Sequence, residues 1–318
     1  MDIKKTCTAV FFCLTYLVWG QGVEIQRKYT TEQISQLRDF VLSSKEVNEF
    51  HTFNYASYVY FDLYMDTPEY TLLKKGFSLR MRKKCMGDEG CFYTFQLKSE
   101  MTSGEGVRME IEEPELDFYK LVHQGEETNL AHLLNLLFQQ FQSAKNKSDL
   151  ENYADILSSI QEWISIKANA PIAPFQKLKF LYPDLFTAEK IRSLAPKMIG
   201  ESHRHRGHVY VGPEYGMKKF GAPLRNVKRG DDEPVYFKEN SDKYWVIESS
   251  LDSSVFYPLF PSSLDHVLVQ EYEIENKYEV DSIGMIVLNE FEKEMRERFA
   301  LRKTVQSKYV QSINQLRE

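Results

Sequence analysis

Basic and acidic side chains recur at every second position in several short runs of the 318-residue sequence. The bases are Lys28, Arg80, Arg82, Lys98, Arg108, Arg204 and Arg206; the acids are Glu24, Glu110, Glu112, Glu248, Asp252, Glu271, Glu273 and Glu275. Positions i, i+2 and i+4 of a β-strand share one face, so Glu271, Glu273 and Glu275 stand in a row of like charge that needs compensation. Arginines of neighbouring strands would supply it, and so would hard divalent cations, which prefer carboxylate oxygens. Arginine's planar fork fits phosphate oxygens, and lysine adds a movable point charge. One ligand chemistry suits both sets: a chain of phosphates accompanied by Mg2+ or Mn2+. Its hydrolysis would need an in-line water activated by a metal or a carboxylate. A sheet that simply shows these faces to bulk water accounts for each strand singly. It does not account for the rows of like charge or for the few Ser, Thr and Gln among them.

The elements that carry these residues alternate with period two. Such runs are Val23–Tyr29, Tyr55–Tyr64, Phe77–Arg82, Tyr93–Lys98, Val107–Glu112, His203–Val211, Trp245–Asp252 and Glu271–Glu275. In most, the face opposite the charges is Val, Ile, Leu, Phe or Met. If the apolar faces pack outward on helices and the polar faces turn inward, closing the sheet gives a barrel with a wet, charged lumen. Helical periodicity is expected from about Thr31, capped by Thr30 or Thr31, and from about Glu115 to Ser193. It is expected again from about Asp281 to Ala300. The polar stretch from Gly212 to Lys243 reads as a long surface excursion.

A chain that is 42% hydrophobic and 27% charged can bury a real core and is not disordered. Its net charge of −6 argues against binding nucleic acid through an overall basic field, and no bundle of membrane helices is expected. Residues 1–20, with two lysines, a short apolar run, Val18 and Gly20, read as a secretory signal peptide cleaved after Gly20. Export is therefore expected, to a periplasmic or extracellular location. Of four cysteines, Cys7 and Cys13 would leave with this segment. Cys85 and Cys91 bracket a five-residue turn between two strand-like runs and could form a disulfide in an oxidising compartment; two free thiols are the alternative.

The order of the strands resembles the CYTH family, the triphosphate tunnel metalloenzymes. Glu24-x-Gln26-x-Lys28 resembles its opening ExExK signature. Tyr60-Phe61-Asp62, Asp66-Thr67-Pro68, Leu72-Leu73-Lys74-Lys75-Gly76 and Leu79-Arg80-Met81-Arg82 resemble its next stretch. Gln96-Leu97-Lys98, Arg108-Met109-Glu110-Ile111-Glu112, Leu251-Asp252, Glu271-Tyr272-Glu273-Ile274-Glu275 and Ser307-Lys308-Tyr309 follow in the family's order, so that the likeness covers most of residues 23–310. It implies an α+β fold: a closed eight-stranded antiparallel β-barrel, the triphosphate tunnel, with flanking helices and an enlarged central helical segment at about 115–195. It implies Mg2+ or Mn2+ as cofactor and a small-molecule triphosphate or polyphosphate as partner. Carried over by position, Lys28, Arg80, Arg82, Lys98, Arg108 and Arg204 or Arg206 would bind phosphates. Glu24, Glu110, Glu112, Asp252, Glu271 and Glu273 would hold metal, with Glu24, Lys28 and Glu112 catalytic.

Three departures mark this chain within the likeness. Gln26 replaces a glutamate, which keeps an oxygen but removes a charge, so metal affinity should fall. The central helical stretch and the 212–243 excursion are long, and most relatives lack a signal peptide. Metal-dependent hydrolysis of inorganic tripolyphosphate or a nucleoside triphosphate is the expected activity. The alternatives are a non-catalytic polyanion-binding tunnel, an adenylate cyclase of the same fold, and a secreted β-rich interaction protein.

Overall fold

The computed structural model describes residues 21–43, 45–85, 91–99, 107–113, 128–170, 173–221, 244–276 and 282–317. The expected signal peptide, the turn between the two cysteines and residues 115–127 lie outside them. The class is α+β, with a large antiparallel sheet of ten strands and several helices. In chain order the strands are β1 (Gln21–Thr30), β2 (Lys45–Val47), β3 (Phe50–Asp66), β4 (Phe77–Cys85), β5 (Cys91–Ser99), β6 (Val107–Glu113), β7 (Ala195–Val211), β8 (Tyr244–Pro258), β9 (Val267–Asn276) and β10 (Arg302–Thr304). The helices are α1 (Ile34–Leu42), α2 (Thr71–Lys74), α3 (Thr128–Ser143), α4 (Ala154–Lys167), α5 (Ala173–Leu181), α6 (Ala188–Arg192), α7 (Pro213–Phe220), α8 (Ser282–Phe299) and α9 (Lys308–Arg317).

The strands follow the order β10-β1-β6-β5-β4-β3-β7-β8-β9, with β2 on β3 and a further pairing of β9 with β1. β1 meets β6 through Gln21 to Ile25 and β9 through Ile25 to Tyr29. β3 and β7 pair along nearly their whole lengths, from Phe50↔Val211 to Asp66↔Ala195.

Alternation sorts the side chains. Phe61, Leu63 and Met65 of β3, Leu79 and Met81 of β4, and Phe95 and Leu97 of β5 pack on Leu130, Leu134, Leu137, Phe138 and Phe141 of α3 and on α4 and α5. Their i, i+4, i+7, i+8 spacing on α3 is the apolar stripe of an amphipathic helix. A second core sets Ile25, Tyr29, Tyr272 and Ile274 against α1 and α8, through Leu37, Phe40, Phe291, Met295 and Phe299. A third is completed by Tyr309, Ile313 and Leu316 of α9. Among the described residues no helix is long and apolar enough to cross a membrane.

Several expectations are corrected. Helix α1 begins at Ile34, because the Thr31 hydroxyl accepts from Gln33 N and donates to the Phe299 carbonyl, fixing a turn ahead of the helix. β7 begins at Ala195, eight residues before the expected strand, since 195–202 continue the ladder on β3. The 212–243 excursion opens with α7: Pro213 supplies a preset first-turn φ, Tyr215 is buried in the second core, and Gly221 closes the helix at φ +68°. The Ser307-Lys308-Tyr309 motif opens a further helix, α9.

Candidate anion-binding site

Register places the charged residues on one continuous face, because directly paired antiparallel residues project to the same side. Lys28 pairs with Glu273, Glu273 with Ser250, Ser250 with Arg206, Arg204 with Asp252, and Asp252 with Glu271. On the other side Asp62 pairs with Arg82, Tyr64 with Arg80, Arg80 with Gln96, and Ser78 with Lys98. For Glu24, Arg108, Glu110 and Glu112 the backbone is described and the side chains are not. Glu24 pairs with Arg108, Glu110 with Gly22 and Lys98, and Glu112 with Gln96.

Six cations line one cavity of about 20 Å³: Lys28, Arg80, Arg82, Lys98, Arg204 and Lys308. That is room for about one water. Five of the six were sequence candidates; Lys308 was not. It enters from α9 and bonds Asp252. The motif Ser307-Lys308-Tyr309 was the signal that could have found it, and Tyr309 stacks on Tyr64 with centroids 4.8 Å apart. Arg206 lies further along the same face, 3.4 Å from Glu248.

Arg80, Arg82, Arg204, Lys28 and Lys308 are each held by a buried partner. Asp62, 1% exposed, takes both arms of Arg82 at 2.7 and 2.8 Å and lies 3.4 Å from Arg80 Nη1. Arg80 Nε also donates to Gln96 Oε1 at 2.7 Å. Burial would push the Asp62 carboxyl up, but Arg80 and Arg82 outweigh it and hold it at about 2. Arg204 makes a bidentate pair with Asp252, both bonds at 2.6 Å, and reaches Glu273 at 2.6 Å. Lys28 Nζ lies 2.9 Å from Glu271 and 3.3 Å from Glu273. Tyr60 stands beside two of these cations, its ring centroid 4.1 Å from Arg82 Cζ and 5.9 Å from that of Arg204.

The acids of β9 separate. Burial pushes Glu271 up to about 7, against the pull of Lys28 and with the help of Glu273. Glu273 is equally buried, yet Arg204, Lys28 and Lys308 hold it well below the usual carboxylate range. Gln26 donates its amide to Glu275 at 2.5 Å. Asp62, Gln96 and Tyr60 were not among the sequence candidates. Tyr60 and Asp62 stood in a quoted motif, and the two-residue period of β3 puts them on the face of Tyr64.

These contacts bear on the metal. Asp252, Glu271 and Glu273 are all engaged by protein cations, and among the described residues no group of three or more His, Cys, Asp or Glu is placed to hold a metal ion. Those three carboxylates are three of the six residues expected to hold metal; the side chains of the other three, Glu24, Glu110 and Glu112, lie outside what the structure describes. His203 and His205 alternate to the other side of β7 from Arg204 and Arg206, where His205 meets Ser57 Oγ at 2.9 Å. Cys85 and Cys91 pair across β4 and β5 and are disulfide-bonded, with Cα atoms 4.1 Å apart.

No family model matches the chain, and no curated protein matches it. Among solved structures it is similar to HpAC1 from Hippeastrum, a candidate adenylyl cyclase described as having a dominant triphosphatase activity. That likeness has 12% identity over 91% of this chain and 93% of the other, with a TM-score of 0.44. It is similar to a candidate adenylate cyclase, bh2851, from Bacillus halodurans, with 15% identity, 92% and 97% coverage, and a TM-score of 0.41. PH1819 from Pyrococcus horikoshii has 12% identity, 91% and 97% coverage, and a TM-score of 0.40.

Proposed function

We propose that the sheet wraps into a tunnel that binds a linear chain of phosphates, inorganic tripolyphosphate or a nucleoside triphosphate, and hydrolyses it. The observation that carries this reading is the convergence of Lys28, Arg80, Arg82, Lys98, Arg204 and Lys308 on one cavity between two helix-backed walls. The pairing of β1 with both β6 and β9 supports the tunnel. So does the ordered set of sequence motifs.

The chemistry follows from what these groups can exchange. The guanidinium forks of Arg82 and Arg204 already grip planar carboxylates in bidentate fashion, and phosphoryl oxygens accept the same pairs of hydrogen bonds. A phosphate chain would enter by taking these donors over from Asp62, Asp252 and Glu273 and widening the cavity. Lys28 and Lys308 would add charge against the transferring phosphoryl group. Glu24, Lys28 and Glu112 are the proposed catalytic groups on motif position. Glu271 joins them through its place 2.9 Å from Lys28 Nζ, where a carboxyl near 7 suits accepting a proton from an attacking water. Mg2+ or Mn2+ would arrive bound to the phosphate chain, as part of the substrate.

Phosphate release from tripolyphosphate, ATP and thiamine triphosphate, measured with Mg2+, Mn2+ or EDTA, tests this directly. Turnover of at least one of them, lost in Arg82→Ala, is expected. A second reading, a tunnel that binds without turnover, is favoured by Gln26; tight binding without phosphate release would select it. Cyclic AMP formed from ATP would select a cyclase.

A further inference from the structure

The described face carries six buried carboxylates: Asp62, Glu248, Asp252, Glu271, Glu273 and Glu275. Among the described residues, Lys28, Arg80, Arg82, Arg204, Arg206 and Lys308 form ion pairs with them, and Lys98 lines the same face. Two like-charge pairs stand directly opposite on β8 and β9, Asp252↔Glu271 and Glu248↔Glu275; such pairs destabilise a sheet unless something lies between. On its other side Glu275 is paired with Gln26 of β1. The row across three strands is therefore Gln26, Glu275, Glu248. A glutamate at 26 would make it three adjacent carboxylates, the kind of oxygen cluster that a hard divalent ion answers. The amide instead donates to Glu275 at 2.5 Å. That assignment is forced by chemistry, because only the NH2 end of an amide can face a carboxylate. Arg206 Nε and His208 Nε2 flank Glu248 at 3.4 and 3.6 Å.

We infer that in this chain Gln26, with the resident cations, takes the place of a protein-bound divalent ion. The row of Gln26, Glu275 and Glu248 then holds no Mg2+ or Mn2+ of its own, and the face binds inorganic tripolyphosphate without metal. This rests on the proposed phosphate-binding reading and narrows it: metal matters to the phosphate chain as substrate and not to the construction of the site.

Two titrations of the intact protein decide it. Mn2+ alone is titrated and free Mn2+ followed by electron paramagnetic resonance; tripolyphosphate is titrated calorimetrically in EDTA and in Mg2+. The expected results are no stoichiometric Mn2+ uptake, and tripolyphosphate affinities within about threefold of each other. Gln26→Glu should take up Mn2+, and its tripolyphosphate affinity should fall about tenfold or more in EDTA relative to Mg2+. Stoichiometric Mn2+ uptake by the unaltered protein overturns the inference. Tripolyphosphate binding that needs Mg2+ also overturns it, while leaving the proposed function standing. Absence of binding in both buffers, by folded protein, overturns the proposed function itself. Should Gln26→Glu fail to fold, the two titrations of the unaltered protein still decide.

Discussion

Asp62 and Arg82 form a bidentate pair, at 2.7 and 2.8 Å, across the β3–β4 ladder inside the sheet, where Asp62 is 1% exposed. The same carboxylate faces Arg80 at 3.4 Å, so one anion holds two guanidinium groups that would otherwise repel. Removing its charge leaves both cations partly desolvated, which costs about 3 kcal/mol for a buried pair. Asp62→Asn should lower the free energy of urea unfolding by about that amount. If the arginines serve phosphate, tripolyphosphate should raise the melting temperature of the variant more than that of the parent, because the ligand supplies the missing anion.

Asp62 and Glu271 make opposite contributions to the pH dependence of stability. Asp62 is held at about 2 in the folded state, below its ordinary value of 3.8, so its stabilisation is present above that value and is lost as pH falls toward 2. Glu271 is raised from 4.5 to about 7, so the folded protein binds the extra proton; this contribution is full below 4.5 and is lost as pH rises through 7. Glu271→Gln keeps the neutral form at every pH. Its melting temperature should change less than the parent's between pH 4.5 and 7, and a parallel pair of curves would refute the assignment.

Much of the site was legible because a strand's two-residue period is written directly in the sequence. Arg80 and Arg82, or Glu271 and Glu273, declare their shared face without reference to any partner. What could not be read is which strand lies beside which. β3 and β7, each seventeen residues long, pair along nearly their whole lengths, yet Tyr58 and Arg204 lie far apart in the chain and no local signal names one to the other. Asp62 was passed over as a single acid in an aromatic run, and only its neighbours Arg80 and Arg82 give it a role. Helix α7 was hidden by polar composition, since Tyr215 is its main buried apolar anchor. Lys308 escaped because it enters the face from a helix end, where strand alternation says nothing.

The disulfide fixes the end of the β4–β5 ladder, with Cys85 opposite Cys91 and Arg82 opposite Thr94 three positions away. A slip of one residue would turn Arg80 and Arg82 to the helix side. Thiol titration of the protein lacking residues 1–20, unfolded without reductant, should find no free thiol. Reduction should lower stability by about 2 kcal/mol, and two titratable thiols before reduction would contradict the bridge.

Lys308 and Lys74 give a matched comparison of two lysines near helix termini. Lys74 is exposed at the end of α2. Lys308 is 9% exposed at the start of α9, bonded to Asp252 and lining the same cavity as Arg82 and Arg204. A charge-assisted hydrogen bond contributes about 1.5–3 kcal/mol, so Lys308→Met and Arg82→Ala should each weaken tripolyphosphate binding about tenfold or more. Lys74→Ala should change it by less than about twofold, as expected of an exposed charge in water. Methionine at 308 preserves the length and packing of the side chain beside Tyr309, so a loss of affinity with an unchanged melting temperature would report the missing charge. Equal, small effects at all three positions would mean that the cavity does not bind the phosphate chain.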